Sequence, residues 1–307
     1  MDEVTYFIDV RADSAGGNPV ADSSGVVVRT NTQRNPNPNP SQPLESELVR
    51  AVQGRDVLLG THGFHVNRAT GIDYLSHWRE WLQLGDNGFF VGVLWPGDSR
   101  WLPFIDYPFE GDEAIKSGRV LADYLVRKFA GVNSLSFVSH SLGARTMLEA
   151  IRNLKQAFKL NTLTTMAGAI DDTCLIDEYQ DAAKQMSKIF VLASSRDDVL
   201  EWAFPAGNLA SGIVSRGDPY WHGALGRYGP YPANQPANLS QTPNLPESWD
   251  FGHHSYINSE GRVEGPPNES GPFALPLTVP PQGTGKPSKD KNWQQAWAAG
   301  FVSTRIT

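Results

Sequence analysis

The chain has 307 residues, 40% of them apolar, a net charge of -7 and a single cysteine, Cys174. That apolar content suffices for a sizeable core. The acidic balance, with no Lys/Arg cluster, excludes a surface built to track nucleic-acid phosphates, and one cysteine excludes an intrachain disulfide or a cysteine-based zinc cluster. The N-terminus "MDEVTYFIDVRAD" lacks a basic segment followed by an apolar run, and no window approaches 18 uninterrupted apolar residues. The expectation is therefore a soluble, cytoplasmic chain with no membrane span, secretion being left open.

In chain order, "TYFIDVRA" and "SGVVVRT" predict a β-hairpin, and the "NPNPNP" run at 35–40 predicts a stiff connector, because its prolines remove donors and push the preceding residues to extended forms. "PLESELVRAVQGR" places Leu44, Leu48, Val49 and Val52 on one helical face, with Gly54 as a stop, and "DVLLGTHG" reads as a buried strand. A second helix is expected from Ile72 to Leu84. After it come the strand "FFVGVLW", a helix from Asp112 to Phe129, the strand "SLSFVS", a helix from Leu142, the strand "TLTTMAGA", a helix over 178–187 and the strand "KIFVLAS". Apolar strands alternating with helices predict a doubly wound, mostly parallel α/β sheet behind the hairpin. Beyond Gly207 the period is lost in a Pro/Asn-rich loop with one short strand expected at "NLSQT", and a Pro/Gly-rich segment at 261–290 precedes a last helix, "NWQQAWAAGF". The organisation expected is a single domain over 1–307, with the hairpin and connector filling 1–40.

The chemistry is concentrated in "LSFVSHSLGARTMLEAI", where a strand runs into a helix through a five-residue turn. Such a turn strains its central residue and holds the side chain clear of the sheet edge, the geometry of a nucleophile elbow around Ser141. Ser139 and Gly143 supply the small residues on either side, so the motif is S-x-S-x-G in place of G-x-S-x-G. The plainer reading of the same turn is a capping serine between strand and helix. A serine nucleophile needs an imidazole and an orienting carboxylate, which in an elbow hydrolase follow in the order Ser, acid, His. "SSRDDVL" offers Asp197 and Asp198, and "WDFGHHSYI" offers His253 and His254. An acidic pair after a strand is also an ordinary helix cap, and a histidine pair in a loop is also ordinary exposed surface. "LLGTHGF" brings the N–H of Phe64 to the end of an upstream strand, where with the N–H of Leu142 it would form a two-donor oxyanion hole. His62 and His65 have no third partner at ligand spacing, so no metal is expected.

Together "VLLGTHGFHVN", "GVLWPGD", "VSHSLGARTMLEAI", "ASSRDDVL", "GALGRYGP" and "GHHSYI" resemble the motifs of a bacterial α/β-hydrolase family of poorly defined function, DUF900-like, over roughly Val57 to Ile257. The resemblance implies an α/β-hydrolase fold and a serine hydrolase acting on carboxylic esters without a cofactor. Two departures stand out: His65 replaces an asparagine of the family's HGFN-like motif, and the histidine motif carries one imidazole too many. Alignment on the acid motif selects Asp197; alignment on "HSY" selects His254, and alignment on "GH" selects His253. The expected set is Ser141, Asp197 and His254, with Phe64 and Leu142 at the oxyanion. An amidase or peptidase would use the same parts, and a non-catalytic binding protein on the same fold is the alternative from another class. The expected partner is a small-molecule ester; oligomeric state is left open. "GTGKPS" lacks the first glycine of a phosphate loop, Asn238 and Asn268 form sequons, and Trp95, Trp101, Trp202 and Trp221 are candidates to line an apolar pocket, with core packing the plainer reading for at least half of the tryptophans.

Overall fold

Near-continuous burial along the strands decides the architecture. The computed structural model describes residues 4–12, 18–31, 42–98, 107–155, 157–201, 223–240, 244–257 and 292–306. The 35–40 connector, the 261–290 segment with "GTGKPS", Asn268 and the tryptophans at 101, 202 and 221 lie outside these residues. Strands β1 (Tyr6–Asp9) and β2 (Val27–Thr30) pair antiparallel, Ile8 opposite Val28. Strands β3 (Asp56–Thr61), β4 (Gly88–Leu94), β5 (Ser134–His140), β6 (Leu160–Met166) and β7 (Lys188–Leu192) are parallel to one another and to β1. Their order across the sheet is β2-β1-β4-β3-β5-β6-β7.

Because side chains alternate across a strand, one face of the sheet takes Val57, Leu59, Val91, Val93, Leu135 and Phe137, and the other takes Leu58, Phe90, Leu94 and Val138. The first face is covered by helices α1 (Gln42–Ala51), α3 (Tyr107–Lys128), α4 (Gly143–Leu154) and α5 (Gln180–Gln185) through residues such as Leu48, Leu121, Met147 and Ala182. The second is covered by α2 (Arg68–Glu80), through Ile72, Leu75 and Trp78, and by the C-terminal helix, which with the short helix α6 (Leu225–Tyr228) ahead of it is numbered α7 (Asn292–Ser303). A sheet buried on both faces explains strands that read as near-continuous apolar runs.

The chain leaves β3 towards β4 on one side, then crosses back over it to place β5 on the other. At such a switch point the loops at the carboxyl ends diverge and leave a crevice. The carboxyl ends of β3 and β5 carry His62 to Phe64 and Ser141 at this point.

Some boundaries differ from expectation for local reasons. Helix α2 begins four residues before Ile72, because Asn67 caps it by accepting the Thr70 N–H at 2.9 Å, while its first turn is too polar to show a period. It ends at Glu80, ahead of Leu84. Helix α3 begins at Tyr107, with Pro108 in its first turn, where no intrahelical donor is needed. Of the strand expected at "NLSQT", 241–242 lie outside the described residues, and the described residues 238–240 contribute a bridge between Leu239 and Ile189. Next to it the Asn238 amide donates to the carbonyls of Ala183 at 2.8 Å and Met186 at 2.6 Å, so this sequon side chain is already engaged in the fold. Among the described residues no helix is long and apolar enough to cross a membrane.

Candidate active site

Ser141 sits between the last residue of β5 and the first turn of α4, with φ of 53°. A non-glycine residue in the left-handed region costs about 1–2 kcal/mol, held here by the surroundings. Its N–H donates to the Met166 carbonyl at 3.0 Å, and its own carbonyl accepts from Ala144 at 3.1 Å, opening the helix. The small residues are required sterically. A Cβ on Gly143 would lie 2.4 Å from the His62 carbonyl oxygen, and one on Gly63 would lie 2.7 Å from the Ser141 Cβ. Ser139, at the other small position, is fully buried inside β5.

The imidazole that reaches the serine is that of His253. Its Nε2 is 2.9 Å from the Ser141 Oγ and its Nδ1 2.8 Å from the Asp197 Oδ2. A carboxylate only accepts, so Nδ1 carries the hydrogen and Nε2 is left bare towards the hydroxyl. The expectation of His254 is corrected here. Residues 253–255 form a single 3-10 turn, in which positions three apart eclipse. His253 and Tyr256 therefore share the inward, buried side, while His254 is turned outward and exposed, its ring edge-on to His253 with centroids 5.3 Å apart. The "GH" alignment had the register that "HSY" lacked.

Asp197 is fully buried, and Asp198 is exposed. The capping and charge-partner readings of this acid are both true at once. Its Oδ1 accepts the Leu200 N–H at 2.9 Å, capping the helical residues that follow, and its Oδ2 accepts from His253. Arg227 donates to the Asp197 carbonyl at 2.7 Å and pairs with Glu201 at 2.9 Å, fixing the same turn from α6.

Phe64 follows Gly63, which packs against Ser141, and Leu142 directly follows the serine at the start of α4. Among the described residues neither of their backbone N–H groups has an acceptor. The loop carrying Phe64 is held by buried polar groups that the sequence reading missed. His62 donates from Nδ1 to the Gly63 carbonyl at 2.9 Å and accepts the Trp95 N–H on Nε2 at 3.4 Å, while the Trp95 indole donates to the His62 carbonyl at 2.9 Å. Burial, helped by the nearby Arg11 charge, pushes His62 down to about 3, so the ring is neutral and both its nitrogens are engaged within the loop. Arg11, at the end of β1, donates to the carbonyls of Val66 at 3.2 Å and Trp95 at 3.1 Å and pairs with Asp98, clamping the loops after β3 and β4 together. A charged residue just past a buried strand, in "DVRAD", was the available signal. His65 adopts φ of 61°, a conformation that asparagine accepts more readily than most residues and histidine tolerates. That is a physical reason for an asparagine in the family motif at this place.

His140 is also buried, and desolvation holds its pKa well below the usual histidine value. Its Nε2 lies 2.7 Å from the His253 carbonyl oxygen.

A mostly parallel seven-stranded sheet with a strained serine elbow and a carboxylate-held imidazole at its switch point defines an α/β hydrolase. The chain belongs to the family described as alpha/beta hydrolase of unknown function (DUF900), whose model matches residues 41–216. That stretch includes Phe64, Ser141, Leu142 and Asp197 and ends ahead of His253. No curated protein matches the chain.

Proposed function

We propose that the chain is a serine hydrolase of carboxylic esters acting through an acyl-enzyme. The observation that carries this reading is the continuous hydrogen-bonded line from Asp197 through His253 to Ser141, at 2.8 and 2.9 Å, ending on a serine held in a strained elbow. Ser141 Oγ bonds to the ester carbonyl carbon as its proton passes to His253 Nε2. The carbonyl π pair moves onto oxygen, where the N–H groups of Phe64 and Leu142 receive it, with the N-terminus of α4 adding its positive end. Collapse of the tetrahedral species breaks the bond to the alcohol oxygen, which leaves with the proton from His253 and so leaves Ser141 acylated. Water repeats the sequence and releases the acid. Asp197 stays ionised throughout, holding the Nδ1–H tautomer and balancing the imidazolium.

The test is hydrolysis of an activated ester together with labelling by a fluorophosphonate. Ser141→Ala should lower turnover by several orders of magnitude, on the order of 10⁴-fold or more, and abolish labelling, while global stability stays within about 1 kcal/mol. Undiminished turnover in that variant overturns the reading.

A further inference from the structure

The residue next to the nucleophile has a contact that the proton relay does not use. His140 closes β5, and its Nε2 lies 2.7 Å from the backbone carbonyl oxygen of His253. A carbonyl only accepts, so Nε2 carries the hydrogen and donates it. The two rings lie 5.0 Å apart, tilted by 50°, and Tyr256 approaches the same ring at 6.4 Å. On the opposite side the His140 ring is backed by the loop after β3: a Cβ on Gly63 would stand 3.0 Å from its Nδ1. His140 is thus wedged between the oxyanion-side loop and the histidine turn.

The turn itself is closed by local bonds, Ser255 N–H to the Gly252 carbonyl and Gly252 N–H to the Ser255 Oγ, both 3.1 Å. These shape the turn and do not tie it to the sheet. Both ring nitrogens of His253 are committed, and Nε2 must trade its partner during turnover, from the serine to the leaving oxygen. A hydrogen bond to the backbone of His253 anchors the pivot and leaves both ring nitrogens free to work. Since its donor is the residue covalently joined to Ser141, the anchor and the nucleophile move as one piece.

We propose that His140 is a positioning residue that fixes His253 against Ser141 through its Nε2–H bond to the His253 carbonyl. This rests on reading Ser141, His253 and Asp197 as the reacting line. The experiment compares the full-length chain with His140→Phe, which keeps a ring without the donor, His140→Gln, which returns an amide N–H at similar reach, and His140→Asn, whose amide stops short. Three quantities are measured: kcat and KM on one activated ester, melting temperature, and the far-downfield proton resonance of the His253 Nδ1–H held by Asp197.

The expected result for the phenylalanine variant is a kcat lower by about 100-fold with KM within about threefold, and a weakened or lost downfield resonance. Glutamine should recover most of both and asparagine neither. If the phenylalanine variant does not fold, the contrast between glutamine and asparagine decides in its place. A folded phenylalanine or asparagine variant with wild-type kcat and an unchanged resonance overturns the proposal. If the wild-type chain neither labels nor turns over an ester, the hydrolase reading fails instead; the resonance needs no substrate and still reports whether His140 positions His253.

Discussion

Two adjacent imidazoles differ here by one third of a turn, and that rotation decides which one faces Ser141. His253→Ala removes the group that touches both Ser141 Oγ and Asp197 Oδ2, so it should reduce ester hydrolysis nearly as far as Ser141→Ala, because members of such a unit are strongly non-additive. His254→Ala should lower it by about tenfold at most, since its ring is exposed and turned outward while His253 meets Ser141 and Asp197. Initial rates on one activated ester separate the two. The sequence contained both residues and could not choose, because the choice depends on a 3-10 winding that three residues do not announce. Strain makes a second residue-scale test. His65 holds φ of 61°, so His65→Asn should leave the melting temperature unchanged or raised, and His65→Val should destabilise by about 1–2 kcal/mol, both read by denaturant unfolding.

At the scale of elements, the histidine turn depends on a helix far along the chain. Gln294 on α7 donates to the carbonyls of Trp249 at 2.7 Å and Asp250 at 3.0 Å, just where Asp250 turns left-handed with φ of 52°. Trp293 and Trp297 pack against Trp249 and Phe251, with ring centroids 5.3–5.7 Å apart. Gln294→Leu strands two carbonyls and should destabilise the chain by about 1–3 kcal/mol in thermal or urea unfolding. Wild-type stability there would show that the aromatic packing alone holds the turn. Strands and helices of the sheet were legible because a two-sided core writes itself as apolar runs between helical periods. The start of α2 was not, since a polar first turn hides the period and only the Asn67 cap marks it. The use of α7 was not legible either: "NWQQAWAAGF" reads as a helix, but nothing in it names the loop it braces.

For the whole molecule, burying neutral imidazoles beside the site makes stability depend on acidity. His62 is pushed down to about 3 by burial, and His140 well below its ordinary value for the same reason. Below about pH 6.5 the unfolded chain binds protons that the folded chain refuses. Stability is therefore complete above that pH and falls as pH drops below it, for His62 by about 1.4 kcal/mol per unit towards 3 and for His140 in the same direction. Against a typical total of about 5–15 kcal/mol, one or two units are a large share. Urea midpoints should fall between pH 7 and 5, and less steeply in His62→Gln; equal slopes in the two proteins would contradict the assignment. Strand-turn-helix order made the turn around Ser141 legible in the sequence, while the buried polar groups around it, His62, His140 and Arg11, were not: polar residues at strand ends look like ordinary loop surface until the fold closes over them. The central claim is that His253 activates Ser141 for covalent attack. It is tested most directly by locating a fluorophosphonate adduct by peptide mass spectrometry in the wild-type, His253→Ala and His254→Ala chains. The account predicts an adduct on Ser141 that forms at near wild-type rate in His254→Ala and is almost lost in His253→Ala; an adduct on another residue, or equal labelling rates in the two histidine variants, would contradict it.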